Sequence, residues 1–341
     1  MKILDRPRDY ARTCALIGAA VWLNPVLLWR PSPFQRPWAV FLLLLGALVI
    51  VPLGLRLVPD LQEGPAKLWR IAIFLQLPTA LLLLAAFAGP AGTLAAVLSL
   101  PWLATTAVIA LLGLLRVWQR RSKSLEELCL DAGLMYLAIG GSWTILDRLG
   151  VRPLSFDPII VLLTAIHFHY AGFALPIVTG LAGRSLETGA ARLAAAGVIA
   201  GVPLVAAGIT ARQLAVGSWL EALSAWVLSV AGLLSAGLLL RLAAQRGRPL
   251  PVRALWVVAA LCLAFSMVLS LLYGSRAYLY LAWLDIPWMR AFHGTANALG
   301  FGVAGLLAWN LVATPETAPA APASAASRSP SSRTSGSGSV R

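Results

Sequence analysis

The sequence predicts an all-α fold: a polytopic transmembrane helical bundle of about ten spans, with both termini cytoplasmic and a disordered C-terminal tail. Three observations carry this. The chain is 59% hydrophobic and only 12% charged, whereas soluble domains carry roughly 25% charged residues. Apolar runs of bilayer length recur along it, and about 20 such residues make one membrane-crossing helix. The runs are apolar all round, without the alternation of a transmembrane β-barrel strand.

Taken in order, the spans fall at about 13–29, 38–57, 68–88, 93–115, 127–147, 158–181, 190–211, 219–240, 254–274 and 289–311. The first is short and interrupted by Asn24-Pro25, which leaves a re-entrant segment as an alternative. The basic stretch from Met1 to Arg8 precedes it with no clean small-x-small cleavage site, so a retained first helix is expected. Residues 1–312 are read as one transmembrane domain and 313–341 as the tail. From about Thr314 that tail is Pro, Ala, Ser, Gly and Arg, too poor in large apolar residues to offset the entropy of ordering.

Loop charge sets the orientation. With the N-terminus inside, the inner set is Lys2, Arg6, Arg8 and Arg12; Arg56, Lys67 and Arg70; Arg116, Arg120, Arg121 and Lys123; Arg184 and Arg192; and Arg241, Arg246, Arg248 and Arg253. The outer set is much smaller: Arg30, Arg36, Arg148, Arg152, Arg212, Arg276 and Arg290. Basic residues accumulate on the cytoplasmic side of membrane proteins. The net charge of +14 therefore reports topology, and nucleic acid is excluded as a partner. Trp29, Trp38, Trp143, Trp283 and Trp288 are expected at the outer interface, and Trp69, Trp118, Trp256 and Trp309 at the inner one. Cys14, Cys129 and Cys262 are isolated and imply neither disulfides nor a zinc knuckle.

The chemistry points to histidine. His167, His169 and His293 are the only three in the chain, and all lie within membrane-length apolar runs. A charged side chain at that depth costs roughly 2.5 kcal/mol or more, so ionisable groups are kept there for proton transfer, metal binding or substrate contact. Asp157-Pro158 starts the sixth span as cap and first helical residue. At about 1.5 Å per residue His167 and His169 lie roughly 14–17 Å below it, near the midplane. Two residues turn a helix by about 200°, so these rings leave opposite faces. One can face a central cavity while the other packs against a neighbour. In the tenth span His293 sits roughly 9 Å deep, with Asn297 one turn on.

If the sixth and tenth spans are neighbours, a polar pocket forms between midplane and outer surface. Its catalytic candidates are His167, His169, His293 and Asn297. Its substrate-binding candidates are Thr164, Tyr170, Tyr136, Trp143, Asp285 and Arg290, with Thr295, Asp147 and Asp157 nearby. Four roles suit the histidines: acid–base chemistry, since histidine titrates near neutrality; a polar pair bridging helices; a three-histidine metal site, which H-x-H on a straight helix does not favour; and haem ligation across two helices. No metal or cofactor is assigned.

Other polar residues are read structurally. Asn24-Pro25, Pro52, Gln76 with Pro78, and Pro203 mark kinks whose freed backbone groups are satisfied internally, although broken helices also line transporter sites. Asp131, beside Glu126 and Glu127, is read as a solvated interfacial face, with a proton-coupling carboxylate as alternative. Gly140-Gly141-Ser142 is no nucleophile elbow and instead lets helices approach closely.

Thr164 to Pro176 reads T-A-I-H-F-H-Y-A-G-F-A-L-P, and Leu284 to Phe301 reads L-D-I-P-W-M-R-A-F-H-G-T-A-N-A-L-G-F. With V-P-L-G-L at Val51–Leu55 and Q-L-P at Gln76–Pro78, these blocks resemble the YndJ-like family of bacterial integral membrane proteins over most of residues 13–311. The resemblance implies a bacterial membrane location and lends weak support to a transporter. The residues themselves favour a membrane enzyme acting on an isoprenoid, polyketide or lipid through isomerisation, epoxide opening or cyclisation. A histidine-gated carrier is the alternative, and a metal- or haem-binding protein the third. The expected partners are the bilayer and an apolar small molecule or lipid, in the bacterial cytoplasmic membrane; oligomeric state is not legible.

Overall fold

The computed structural model describes residues 7–58, 63–120 and 124–313. Among these residues every regular element is helical, and ten helices are long and apolar enough to cross a membrane. In order, the first to tenth spans are Pro7–Trp29, Arg36–Arg56, Glu63–Ala88, Thr93–Gln119, Leu125–Leu149, Pro158–Leu186, Gly189–Gln213, Ser218–Ala243, Leu250–Gly274 and Ile286–Ala313. The protein is a multi-pass helical membrane bundle. The first span is one continuous helix of 23 residues with Pro25 inside it, long enough to cross a bilayer. Of the expected tail, 314–341 lie outside the described residues, as do Lys2, Arg6, Arg121 and Lys123 of the charge comparison.

Local chemistry starts the helices. Ser124 accepts from the Glu127 backbone at the head of the fifth span, a Ser-x-x-Glu start that satisfies an otherwise orphaned N–H. Asp157 caps Ile159 ahead of Pro158, Thr188 caps Ala191 and Asp285 caps Trp288. Gly150 closes the fifth span at φ 74°, a left-handed conformation that suits glycine.

The second span is the hub: 94% of its apolar window is buried, against 22% for the first. It packs on the first, third, sixth and tenth spans, while the sixth also meets the fifth, seventh, eighth and tenth. The remaining spans pair with their chain neighbours around this centre.

The helical ladder is broken in three spans only among the described residues. The second, sixth and tenth carry π-helical stretches at Gly46–Ile50, Tyr170–Ala174, and Met289–Gly294 with Ala296–Val303. Two of these immediately precede a proline, Pro52 and Pro176, which has no N–H to donate. In the second span Val51 N–H reaches back to the Gly46 carbonyl. In that wider register Ala47 would pair with residue 52, and Gln76 of the third span supplies the missing donor at 2.6 Å. Pro203 likewise deprives the Ile199 carbonyl of a donor, and the Tyr136 hydroxyl fills it at 2.7 Å. Gln76 and Tyr136 thus repair backbone, as membrane depth requires.

Charged residues stitch the ends. Near the inner end Asp131 is fully buried, not solvated as expected, because Arg116 and Arg120 of the fourth span grip its two oxygens at 2.5 and 2.7 Å. Glu127 joins Arg120 and Arg184, each at 2.9 Å. Arg56 donates to Asn310 at 2.8 Å, tying the second span to the tenth. The tryptophans expected at the two interfaces differ in exposure. Trp29, Trp118 and Trp283 are exposed, whereas Trp38, Trp69, Trp256 and Trp309 are buried inside the bundle.

Candidate functional site

The H-x-H pair diverges as helical geometry requires. His169 is fully buried. Its Nδ1 lies 2.8 Å from the Ala165 carbonyl, which can only accept, so Nδ1 carries the proton. Its Nε2 then accepts from Trp102 Nε1 at 3.3 Å, with the two rings stacked 13° from parallel. Glycine makes the room: a Cβ on Gly140 would sit 2.9 Å from His169 Nδ1, and one on Gly46 3.2 Å from His169 Cβ. Both imidazole nitrogens are used, leaving none for a substrate. His169, expected among the catalytic residues, is built into the packing of the second, fourth and fifth spans.

His167 faces the other way, against the Val202 carbonyl of the seventh span and close enough to His293 for their charges to interact. Its Nε2 is buried and has no hydrogen-bond partner among the described residues. His293 is held tightly. Its Nδ1 donates to the Ser266 carbonyl of the ninth span at 2.8 Å, and its Nε2 accepts from Asn297 Nδ2 at 3.2 Å. The structure therefore brings together His167, His293 and Asn297, with one unspent imidazole nitrogen among them.

The other candidates scatter. Tyr170 donates to the Leu42 carbonyl at 2.8 Å, joining the sixth span to the second. Thr164 bonds Ile160 within its own helix but lies on the His167 face. Trp143 packs edge-on against Phe156. Asp285 is a helix cap, and Arg290 is spent on the Pro33 and Phe34 carbonyls. Thr295 accepts from Trp38 at 2.7 Å. Asp147, expected near the mouth, instead pairs with Arg36 at 2.8 Å and Arg148 at 2.7 Å, and Asp157 is a cap.

The surroundings of the triplet are asymmetric. Ile160, Leu163, Thr164, His167 and Ala171 form a half-buried stripe along the sixth span. Val205 and Ala206, one turn outward from Val202, are half-buried too, as are His293, Thr295 and Asn297. The outer half of the sixth span, Pro158–His169, packs chiefly on the second and fifth spans, whereas its inner half is also covered by the seventh, eighth and tenth. Leu175 to Gly180 are all buried. The triplet sits where a loosely covered outer half meets a sealed inner half.

Among the described residues no three His, Cys, Asp or Glu side chains gather as a metal site. Sequence reasoning missed Trp102, Ser266 and the Val202 carbonyl. Trp102 follows a mid-span proline, a weak signal; a lone serine and a backbone carbonyl carry none.

Fold and site define a multi-pass helical membrane protein with histidines buried between its sixth, seventh, ninth and tenth spans. The model of the YndJ-like protein family matches residues 41–301, a stretch that contains all three histidines. The chain belongs to the YndJ-like family. It is 31% identical over 216 residues to "Uncharacterized membrane protein YndJ" of Bacillus subtilis (strain 168), a match covering 62% of this chain and 38% of that relative. The matched region is thus well under half of that relative's length. No solved structure matches.

Proposed function

We propose that the protein is a membrane-embedded enzyme that moves a proton on an apolar substrate, with His167 as the acid–base group. The observation that carries this reading is the buried His167 Nε2 without a partner. A polar atom left unpaired in a dry interior costs on the order of 1–3 kcal/mol, and substrate would complete it. His167 would take a proton from one position of the substrate and return it at another, so that the enzyme ends unchanged, as an isomerisation requires. His293, whose nitrogens are spent on Ser266 and Asn297, would hold the Asn297 amide in place beside His167. Catalysis passes from His169, whose nitrogens are engaged, to His167. The substrate class is an isoprenoid, polyketide or lipid, and the location the bacterial cytoplasmic membrane.

A carrier is the second reading, favoured by one observation: the sixth span is loosely covered in its outer half and sealed in its inner half. Alternating access needs such an asymmetry. Purified protein in detergent micelles, offered isoprenoid and fatty substrates, separates the two. The enzyme forms product without a gradient, and His167→Ala and His293→Ala abolish it while folding survives. Saturable uptake into proteoliposomes with substrate recovered unchanged would overturn the enzyme in favour of the carrier.

A further inference from the structure

The chemistry of the half-buried stripe says what kind of molecule fits it. Outward from His167 the walls are Ile160 and Leu163 on the sixth span and Val205 and Ala206 on the seventh, all half-buried and apolar. At the deep end His167 Nε2 is buried without a hydrogen-bond partner among the described residues. A half-buried apolar stripe with one buried hydrogen-bonding atom at its floor matches a molecule with one polar end and one long apolar tail. A hydroxyl suits that floor, because it donates to a bare imidazole nitrogen and accepts from a protonated one.

The direction of approach follows from what covers the stripe. The inner half of the sixth span is closed by the seventh, eighth and tenth spans. At the water-facing mouth Gln213 Nε2 donates to the Leu154 carbonyl at 3.0 Å, strapping the outer end of the seventh span to the loop before the sixth. A molecule lying in the outer leaflet would meet the half-buried stripe from the side.

We infer that the His167 site takes a single-chain amphiphile with a hydroxyl head, drawn head-first from the outer leaflet, its tail lying along Ile160, Leu163, Val205 and Ala206. This rests on the site proposed for His167 but not on the reaction, which product formation alone decides.

The test uses the full chain with Cys14, Cys129 and Cys262 replaced by Ala and one cysteine returned. Leu163→Cys probes the stripe, Leu261→Cys an exposed control and Ala174→Cys a buried one; Ile160→Cys stands in if Leu163→Cys fails to fold. In liposomes, a bimane at Leu163→Cys should be quenched by doxyl-labelled lipid almost as strongly as one at Leu261→Cys, and by iodide hardly at all. Cetyl alcohol should slow maleimide labelling of Leu163→Cys several-fold, and His167→Leu should remove that protection. Quenching by iodide in place of doxyl lipid would overturn lateral access. Absence of protection, or protection that survives His167→Leu, would overturn the ligand.

Discussion

Two histidines separated by one residue live in opposite worlds. His169 belongs to a sealed side, where Trp102, Ala165, Gly46 and Gly140 consume both nitrogens and the space around them. His167 belongs to a looser side, shared with His293 and Asn297, where one nitrogen stays unspent. His169 is fully buried and His167 half-buried, and completed hydrogen bonding separates them further as functional groups. An imidazole with both nitrogens paired within the protein is complete, and one with an unpaired nitrogen has room for a further partner. Changes on the sealed side should therefore cost stability, and changes on the looser side should cost function.

The largest effect should come from the sealed side's inner end. Asp131→Ala leaves Arg116 and Arg120 with only the less buried Glu127 carboxylate between them. Removing one partner of a buried ion pair costs roughly 3–5 kcal/mol. Thermal melting in detergent should show a large drop, with Asp131→Asn intermediate; a melt unchanged from wild type would mean the cluster is hydrated.

His169→Ala comes next. It deletes a fully buried ring together with the Ala165 and Trp102 hydrogen bonds, and large-to-small changes of that kind cost roughly 2–4 kcal/mol. Trp102→Phe should reproduce about 1 kcal/mol of it, since only the Nε1 donor is lost. If both variants melt like wild type, the sealed side is not sealed and the comparison fails. Tyr136→Phe is a smaller test. It leaves the Ile199 carbonyl without the donor that replaces the missing N–H of Pro203, at about 0.6 kcal/mol, the average of measured intramembrane side-chain hydrogen bonds.

The sequence made some of this readable and hid the rest for physical reasons. Spans are legible because a bilayer demands apolar runs of fixed length, and among the described residues a helix long and apolar enough to cross stands at each of the ten expected places. The divergence of His167 and His169 follows from 200° of helical rotation. Which of them keeps a free nitrogen does not follow, because Trp102, Gly46 and Gly140 reach His169 from other spans. The π-helical turns leave no residue pattern; Pro52 and Pro176 announce a broken ladder, but the tenth span has two such stretches with no proline after them. Asp131 reads as surface when only Glu126 and Glu127 are considered, and as interior once the fourth-span arginines fold over it.

The smallest change in stability should be the most telling. His167→Leu replaces an imidazole whose Nε2 has no partner with an apolar side chain of similar bulk. It gives up the contact with the Val202 carbonyl but relieves the unpaired nitrogen. Swapping an unsatisfied buried polar group for an apolar one is often neutral or stabilising. Stability should stay within about 0.5 kcal/mol of wild type, on the stabilising side, while product formation disappears. That pairing separates the two histidines where an alanine scan of activity alone would not, since His169→Ala also lowers activity by weakening the fold. Were His167→Leu to melt as early as His169→Ala, the two imidazoles would be equivalent struts, and the looser side would have no claim to chemistry.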